Sequence, residues 1–224
     1  MALFLLPHSN HQSKMDIVRK DLSEVWEHHR FSELNPLRTA LIEYFKVDTY
    51  PLAPTFRRFK GRFWEELSFW ALPRRVQQKL QDSSLVPSPL FGLLSIQDPI
   101  PAYSVGWKDR YQGEAVHSFW KRHLSGLLVE LLRKRTVFDF TSSEDRKALT
   151  FPNNARVVRF LYYRQDKRVI NTLPHRAYTL RYIVEMDVGP EDLERINFLD
   201  YKVEKVEKKE GLILVRMIGE GRYI

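Results

Sequence analysis

Residues Phe151 to Asp187, FPNNARVVRFLYYRQDKRVINTLPHRAYTLRYIVEMD, constrain the fold more than any other stretch. β-Branched and aromatic residues fill the run up to Arg164, which predicts a strand. Gln165 to Arg168 is a polar turn, and Pro174 suits the first turn of a helix with Thr172 as its cap. Arg176 and Arg181 fall on or near that helix. Arg156, Arg159, Arg164, Lys167 and Arg168 precede them, and only Asp166, Glu185 and Asp187 oppose the charge. A buried strand, a basic turn and an arginine-bearing helix make a unit suited to holding a polyanion.

The rest of the chain alternates strands and helices. Ala2 to Leu6 reads as a buried first strand. The turn after it, Pro7-His8-Ser9-Asn10, stands where open α/β sheets place ligands, although a capped loop is the plainer reading. Amphipathic helices are expected from Ser13 or Lys14 to about His28 (with Ile17, Leu22, Val25 and Trp26 inward), and from Pro36 through Phe45. Phe59-Lys60-Gly61 leads into a helix carrying Phe63, Trp64, Phe69 and Trp70, aromatics read mainly as core. Arg74 to Gln81 forms another helix. Leu85 to Tyr103 predicts a strand leading into a short helix, with Gly92 at a close contact. Ala115 to Arg135 is the longest helix, its apolar stripe running from Val116 to Leu132. Thr136 to Phe140 is a buried strand, and Ser142 or Ser143 caps the start of a further helix. Gly189 to Ile196 reads as a short helix, and Tyr201 to Glu207 with Leu212 to Ile218 as a C-terminal β-hairpin. The expected fold is a single α/β domain over residues 1–224, a mixed sheet with flanking helices and that hairpin.

The chain has 224 residues and no cysteine, which excludes disulfides, thiolate catalysis, zinc-ribbon sites and Fe–S ligation. Adjacent His28 and His29 diverge on a helix and lack an i+4 partner, so no metal is expected, nor any cofactor. The opening apolar run is too short for a signal peptide and no run approaches a membrane span, so the expected location is cytoplasmic, away from membranes. A formal charge of +8 favours nucleic acid or other anionic ligands. There is no Walker A loop, G-x-G-x-x-G, G-x-S-x-G or H-E-x-x-H. The acid–base candidates are Asp98, Asp109, Asp139, Glu144, Asp145 and seven histidines.

From about Phe59 to Phe198 the chain resembles the YaaA family of bacterial peroxide-stress resistance proteins. Phe59-Lys60-Gly61 resembles that family's F-K-G. Leu90-Phe91-Gly92-Leu93-Leu94 with Asp98 and Tyr103 resembles L-Y-G-V-L-R-P-L-D…P-Y. Ser118-Phe119-Trp120, Ser142 to Lys147 and Pro190 to Phe198 resemble further segments in the same order. Arg176 and Arg181 resemble the arginines of K-A-R-G-x-x-x-R-[FY]-[IM]. The chain departs from the family at Pro7 to Asn10, where the lysine of S-P-A-K-T is missing, and at Ser95, Ser104 and Ala177. The resemblance implies a YaaA-like mixed α/β fold and a protein that binds DNA through a basic cleft and limits oxidative damage.

On that basis the expected partner is double-stranded or branched DNA, bound largely without sequence preference, and no protein partner is evident. Lys60, Lys147, Arg164, Lys167, Arg168, Arg176 and Arg181 are the expected phosphate contacts. Tyr162, Tyr163 or Tyr178 would stack on exposed bases. Three alternatives stand beside this. The charges can form a solvated face, with the helix arginines paired to Glu185, Asp187 or Asp98. Or the chain is an enzyme acting on a nucleotide or damaged nucleic acid, with Asp98 or Glu144 as acid or base and Lys147, Arg176 and Arg181 as anion clamps. A scaffold presenting the aromatics of residues 59–70 would require those rings to be exposed.

Overall fold

The strand read from the basic stretch spans Arg156–Arg164 and lies near the middle of a nine-stranded sheet. A computed structural model describes residues 2–15, 17–222 and 224. Within them the sheet strands are β1 (Leu3–Leu5), β2 (Ser84–Ser88), β3 (Gly92–Ser95), β4 (Thr136–Asp139), β5 (Arg156–Arg164), β6 (Lys167–Arg168), β7 (Asn197–Phe198), β8 (Tyr201–Lys209) and β9 (Leu212–Gly219). Their order is β7-β8-β9-β5-β4-β1-β2-β3, with β6 hooked onto the end of β5. Strands β9, β5, β4, β1 and β2 run parallel, and antiparallel neighbours close both edges. The result is a mixed α/β domain with a large sheet and flanking helices, as the alternation of elements predicted.

Composition explains the placement. Strands β1 and β2 are buried throughout, as parallel strands covered on both faces must be. Strand β9 buries Ile213, Val215 and Met217 at alternate positions, so one of its faces meets the core. Strand β8 exposes most of its lysine- and glutamate-rich length, which keeps this rim of the sheet soluble. The hairpin turns at Gly211 (φ +68°), where an added Cβ would sit 3.3 Å from the Asn153 carbonyl oxygen.

The main helices are α1 (Asn35–Phe45), α2 (Arg62–Leu67), α3 (Arg74–Ser83), α4 (Val116–Leu132) and α5 (Leu173–Glu185). Helix α4 buries Val116, Phe119, Trp120, Leu124, Leu128 and Leu132, the stripe read from its periodicity. Helix α5 begins with proline in its first turn. Thr172 occupies the cap position, but its side chain makes no capping hydrogen bond.

Several expected helices are shorter or absent: the one capped at Ser142 is only a 3-10 turn at Asp145–Ala148, and the aromatic-bearing one ends at Leu67, with Phe69–Ala71 a 3-10 turn. Between Lys14 and His28 only Leu22–Val25 is α-helical, with a 3-10 turn at Trp26–His28; Asp16 lies outside the described residues. The Asp21 carboxylate accepts from Ser23 N while Glu24 accepts from Asp21 N, a capping box that starts the helix only there. Upstream, the backbone is engaged elsewhere: Ser13 N donates to Arg58 O (2.8 Å) and Val18 N to Leu52 O (3.0 Å). The short helix expected after the first half of Leu85 to Tyr103 is instead the second strand of a β2–β3 hairpin, because Gly92 turns the chain back at φ +72°. Of Gly189 to Ile196, only Leu193–Arg195 is helical, as a 3-10 turn. Among the described residues, no helix is long and apolar enough to cross a membrane.

Candidate polyanion-binding face

Strand β4 ends at Asp139, beside Arg159 of β5, while β5 runs on for five more residues to Arg164. The step between the two strand ends leaves a cavity of ≈ 390 Å³ at the carboxyl edge of the parallel sheet. Ligand crevices of open α/β sheets are found at this edge.

Asp139 is the anchor. Its buried carboxylate accepts from Arg159 Nε (2.6 Å), Thr141 N (3.0 Å) and Thr141 Oγ1, with Arg146 Nη1 3.7 Å away. Arg146 Nη1 also donates to Thr141 O (2.6 Å), and Arg176 Nη1 donates to Phe140 O (3.1 Å) and Thr141 O (2.9 Å). Arg168 reaches the same cavity from β6, and its side chain has no hydrogen-bond or ion-pair partner among the described residues. Among the described residues, four guanidinium groups thus line a cavity with one carboxylate, and two of them, on Arg159 and Arg146, approach that carboxylate directly. Each carries five N–H donors, and the internal bonds use only a fraction of them. Burial lowers the pKa of Arg146, Asp139 opposes that shift, and Arg159 and Arg176 reinforce it. An incoming anion would relieve the repulsion among the arginines.

The structure divides the seven expected contacts. Arg168 and Arg176 share the cavity. Exposed Arg164 and Lys167 sit beside it on the β5–β6 turn, in an adjoining hollow that also uses Arg168. Arg181 lies elsewhere, donating to Glu66 O (3.3 Å) on α2 and pairing with Glu185 (3.8 Å). Lys147 is paired with Glu144 at 2.9 Å. Lys60 borders an aromatic hollow with Phe59, Trp64 and Trp70. Arg146 was not among the expected contacts, and Arg159 was noted only as part of the basic strand. No local signal marks either one, because both are defined by their approach to Asp139 across the strand pair.

The aromatic expectations divide in the same way. Tyr162 is buried with its hydroxyl against Thr179 (2.8 Å), so it cannot stack on a base in the folded protein. Tyr163 already carries Arg216 over its face at 4.2 Å, and Tyr178 bonds Glu66 (3.0 Å) and stacks on Phe198. Phe59, Phe63, Trp64 and Phe69 are buried, as core residues, and Trp70 alone of the group is exposed.

Asp98 and Glu144 lie outside the arginine cavity. Asp98 is a buried turn carboxylate accepting from Arg30 N (3.1 Å) and Ser95 N (2.8 Å). At the first strand end, the capped-loop reading describes Ser9, whose hydroxyl accepts from His11 N (3.1 Å) and donates to Lys60 O. His8 packs among Phe59, Tyr103 and Trp107, next to Asp145, which accepts from Trp107 Nε1 (2.9 Å).

These buried groups predict an acid response. Burial lowers the His8 pKa to about 3; it is the main cause that takes His29 and His175 to about 4. Unfolded, each would bind a proton near 6.5, so their stabilising contribution is present at neutral pH and is lost as pH falls below that value. Asp98 and Asp145, raised to about 6 chiefly by burial, act in the opposite sense, since the folded state protonates first. The three histidines dominate. Urea unfolding at about pH 4.5 should show a net loss on the order of a few kcal/mol relative to about pH 7; an unchanged midpoint would contradict the assignment.

A family profile described as "Peroxide stress protein YaaA" matches residues 10–207. A UPF0246 protein of Flavobacterium johnsoniae is 26% identical over 177 residues, covering 73% of this chain and 69% of its own. An uncharacterized protein of Campylobacter jejuni is 29% identical over 100 residues, 44% of this chain; the aligned stretch spans only 41% of the Campylobacter protein's length. With the profile covering most of the chain, this protein belongs to the YaaA family of peroxide stress proteins.

Proposed function

We propose that this protein binds DNA, largely without sequence preference, through the arginine face at the carboxyl ends of β4 and β5, and so contributes to peroxide resistance in the cytoplasm. The observation that carries the proposal is the convergence of Arg146, Arg159, Arg168 and Arg176 on a cavity with Asp139 as the only carboxylate among the described lining residues, beside Arg164 and Lys167. Guanidinium groups suit phosphate because their planar fork donates two hydrogen bonds at once. The name of the family supports the link to peroxide stress. Arg181 and Lys147 have a weaker claim, since both are already engaged with carboxylates.

The test is fluorescence anisotropy with a labelled duplex and a branched junction across a salt series. Arg168→Ala/Arg176→Ala should weaken binding ~10- to 100-fold near 0.1 M salt and make the log–log salt slope shallower by about 1.8, for two lost phosphate contacts. Arg181→Ala should behave as wild type. If both variants lose affinity equally, the cavity is not the site. If folded wild-type protein binds neither DNA at low salt, the DNA reading fails.

A further inference from the structure

A second cavity, ≈ 580 Å³, shares Arg168, Val169 and Ile170 with the first. Its described lining carries Arg62, Arg164, Lys167 and Arg168 against Glu220, which is paired with Arg222; Arg62 pairs with Glu66 (3.5 Å) and Arg164 Nη2 donates to Ile224 O, which leaves Lys167 and Arg168 as the unengaged cations. The start of α5 forms part of the wall. This 13-residue helix has no side-chain cap, but Pro174 in its first turn has no N–H and Arg176 N bonds Thr172 O (2.9 Å), so what the helix start brings to the wall is the side chain of His175.

His175 supplies the second, independent observation. It lines this cavity, yet only 1% of its surface is exposed, and neither Nδ1 nor Nε2 has a hydrogen-bond partner. The Asn171 backbone lies near enough to favour the charged form slightly, as does Asp200, but burial and Arg164 outweigh both and keep the ring neutral at pH 7. A neutral imidazole has one N–H and one lone pair. Tyr201 packs edge-on against it at 4.8 Å, which fixes the ring without satisfying either nitrogen. Buried polar atoms left unpaired are rare in native proteins, and a missing ligand is one of their ordinary explanations.

We propose that this cavity receives a phosphate monoester, either the terminal phosphate of a nucleic-acid strand or that of a free nucleotide. Its oxygens would accept from His175, with Arg164 and Lys167 as counter-charges. Lys167 and Arg168, with Arg164 beside them, leave this lining with an excess of positive charge that suits a dianion better than a singly charged diester. A terminal phosphate also has three free oxygens, so it can reach a recessed imidazole without carbon on both sides. The assignment goes beyond the DNA-binding reading and stands without it, because a free nucleotide would engage the same groups.

Two matched pairs test it at about 0.15 M salt: a single strand with and without a 5′-phosphate by anisotropy, and adenosine 5′-monophosphate against adenosine by calorimetry. The phosphorylated member of at least one pair should bind about tenfold more tightly. Preference in the strand pair identifies a strand end as the source, and preference in the nucleotide pair alone identifies a free nucleotide. His175→Phe, which replaces the unpaired nitrogens with an apolar ring, should keep or raise the melting temperature and abolish the preference. If that variant does not fold, Lys167→Ala at its exposed position should reduce the preference instead. Equal affinities within both pairs, or a preference that survives His175→Phe in folded protein, would overturn the proposal. Failure of the DNA reading is seen separately, as the absence of salt-dependent binding to unphosphorylated duplex.

Discussion

Arg38→Met should destabilise the folded chain by about 3–5 kcal/mol, although it keeps most of the side-chain volume. Arg38 is fully buried on α1. Its Nε donates to Phe91 O (3.0 Å), its Nη2 to Leu93 O (2.8 Å) and Arg30 O (3.3 Å), and its Nη1 to Asn35 Oδ1 (2.8 Å). Leu93 is on the edge strand β3, and the residue opposite it, Pro87, has no N–H. Phe91 O keeps Leu93 N as a donor (3.0 Å), but methionine would leave the Leu93 and Arg30 carbonyl oxygens without the Arg38 donors, each costing about 1–3 kcal/mol. Burial already lowers the guanidinium pKa to about 10, against the favourable pull of Asp98 and Glu33. Arg38→Lys should recover only part of the loss, since one ammonium cannot span the same acceptors. Urea unfolding of the three proteins measures this. A methionine variant within about 1 kcal/mol of wild type would mean that solvent or a shifted backbone satisfies those carbonyls.

Gly92→Ala should cost a comparable amount, for a steric reason. An added Cβ would lie 2.5 Å from Trp120 Cζ3 and 2.6 Å from Cε3, at a backbone φ of +72°. Trp120 cannot retreat easily: it is fully buried in α4, and its Nε1 donates to Pro89 O at 2.7 Å. Overpacking contributes about 1–3 kcal/mol and the left-handed backbone about 1–2 kcal/mol more. Trp120→Leu, destabilising alone, should partly relieve Gly92→Ala, so the double variant should be more stable than the sum of the singles predicts. Strict additivity in thermal and urea unfolding would show that the two positions are not in contact.

These two positions also separate what is legible locally from what is not. Gly92 within Leu-Phe-Gly-Leu-Leu was recognisable as a close-contact glycine, because a glycine among large apolar residues signals a turn or a tight approach. Arg38 carried no such signal, since an arginine in an amphipathic helix ordinarily faces water. Arg58 is similar, fully buried with its Nε and Nη2 on Ile100 O (3.1 Å) and Pro51 O (2.7 Å). The expected helix from Lys14 failed for the same reason. Its apolar spacing fits a helix, but this segment's backbone bonds to residues about 35 to 45 positions away.

The sequence by itself determined the elements whose signals are local: the apolar stripe of α4, strand β5 ending in a polar turn, the proline-started α5 and the Gly211 hairpin. Periodicity and turn chemistry act over a few residues, so they survive without knowledge of the fold. Tertiary structure alone decided which charges act together. Asp139 meets Arg159 through the register of β4 and β5, while Arg176 arrives on α5 and Arg181 turns toward α2. A run of basic residues predicts the sign of a surface, but Coulomb interaction depends on distances, and pairing strands and docking helices set those distances.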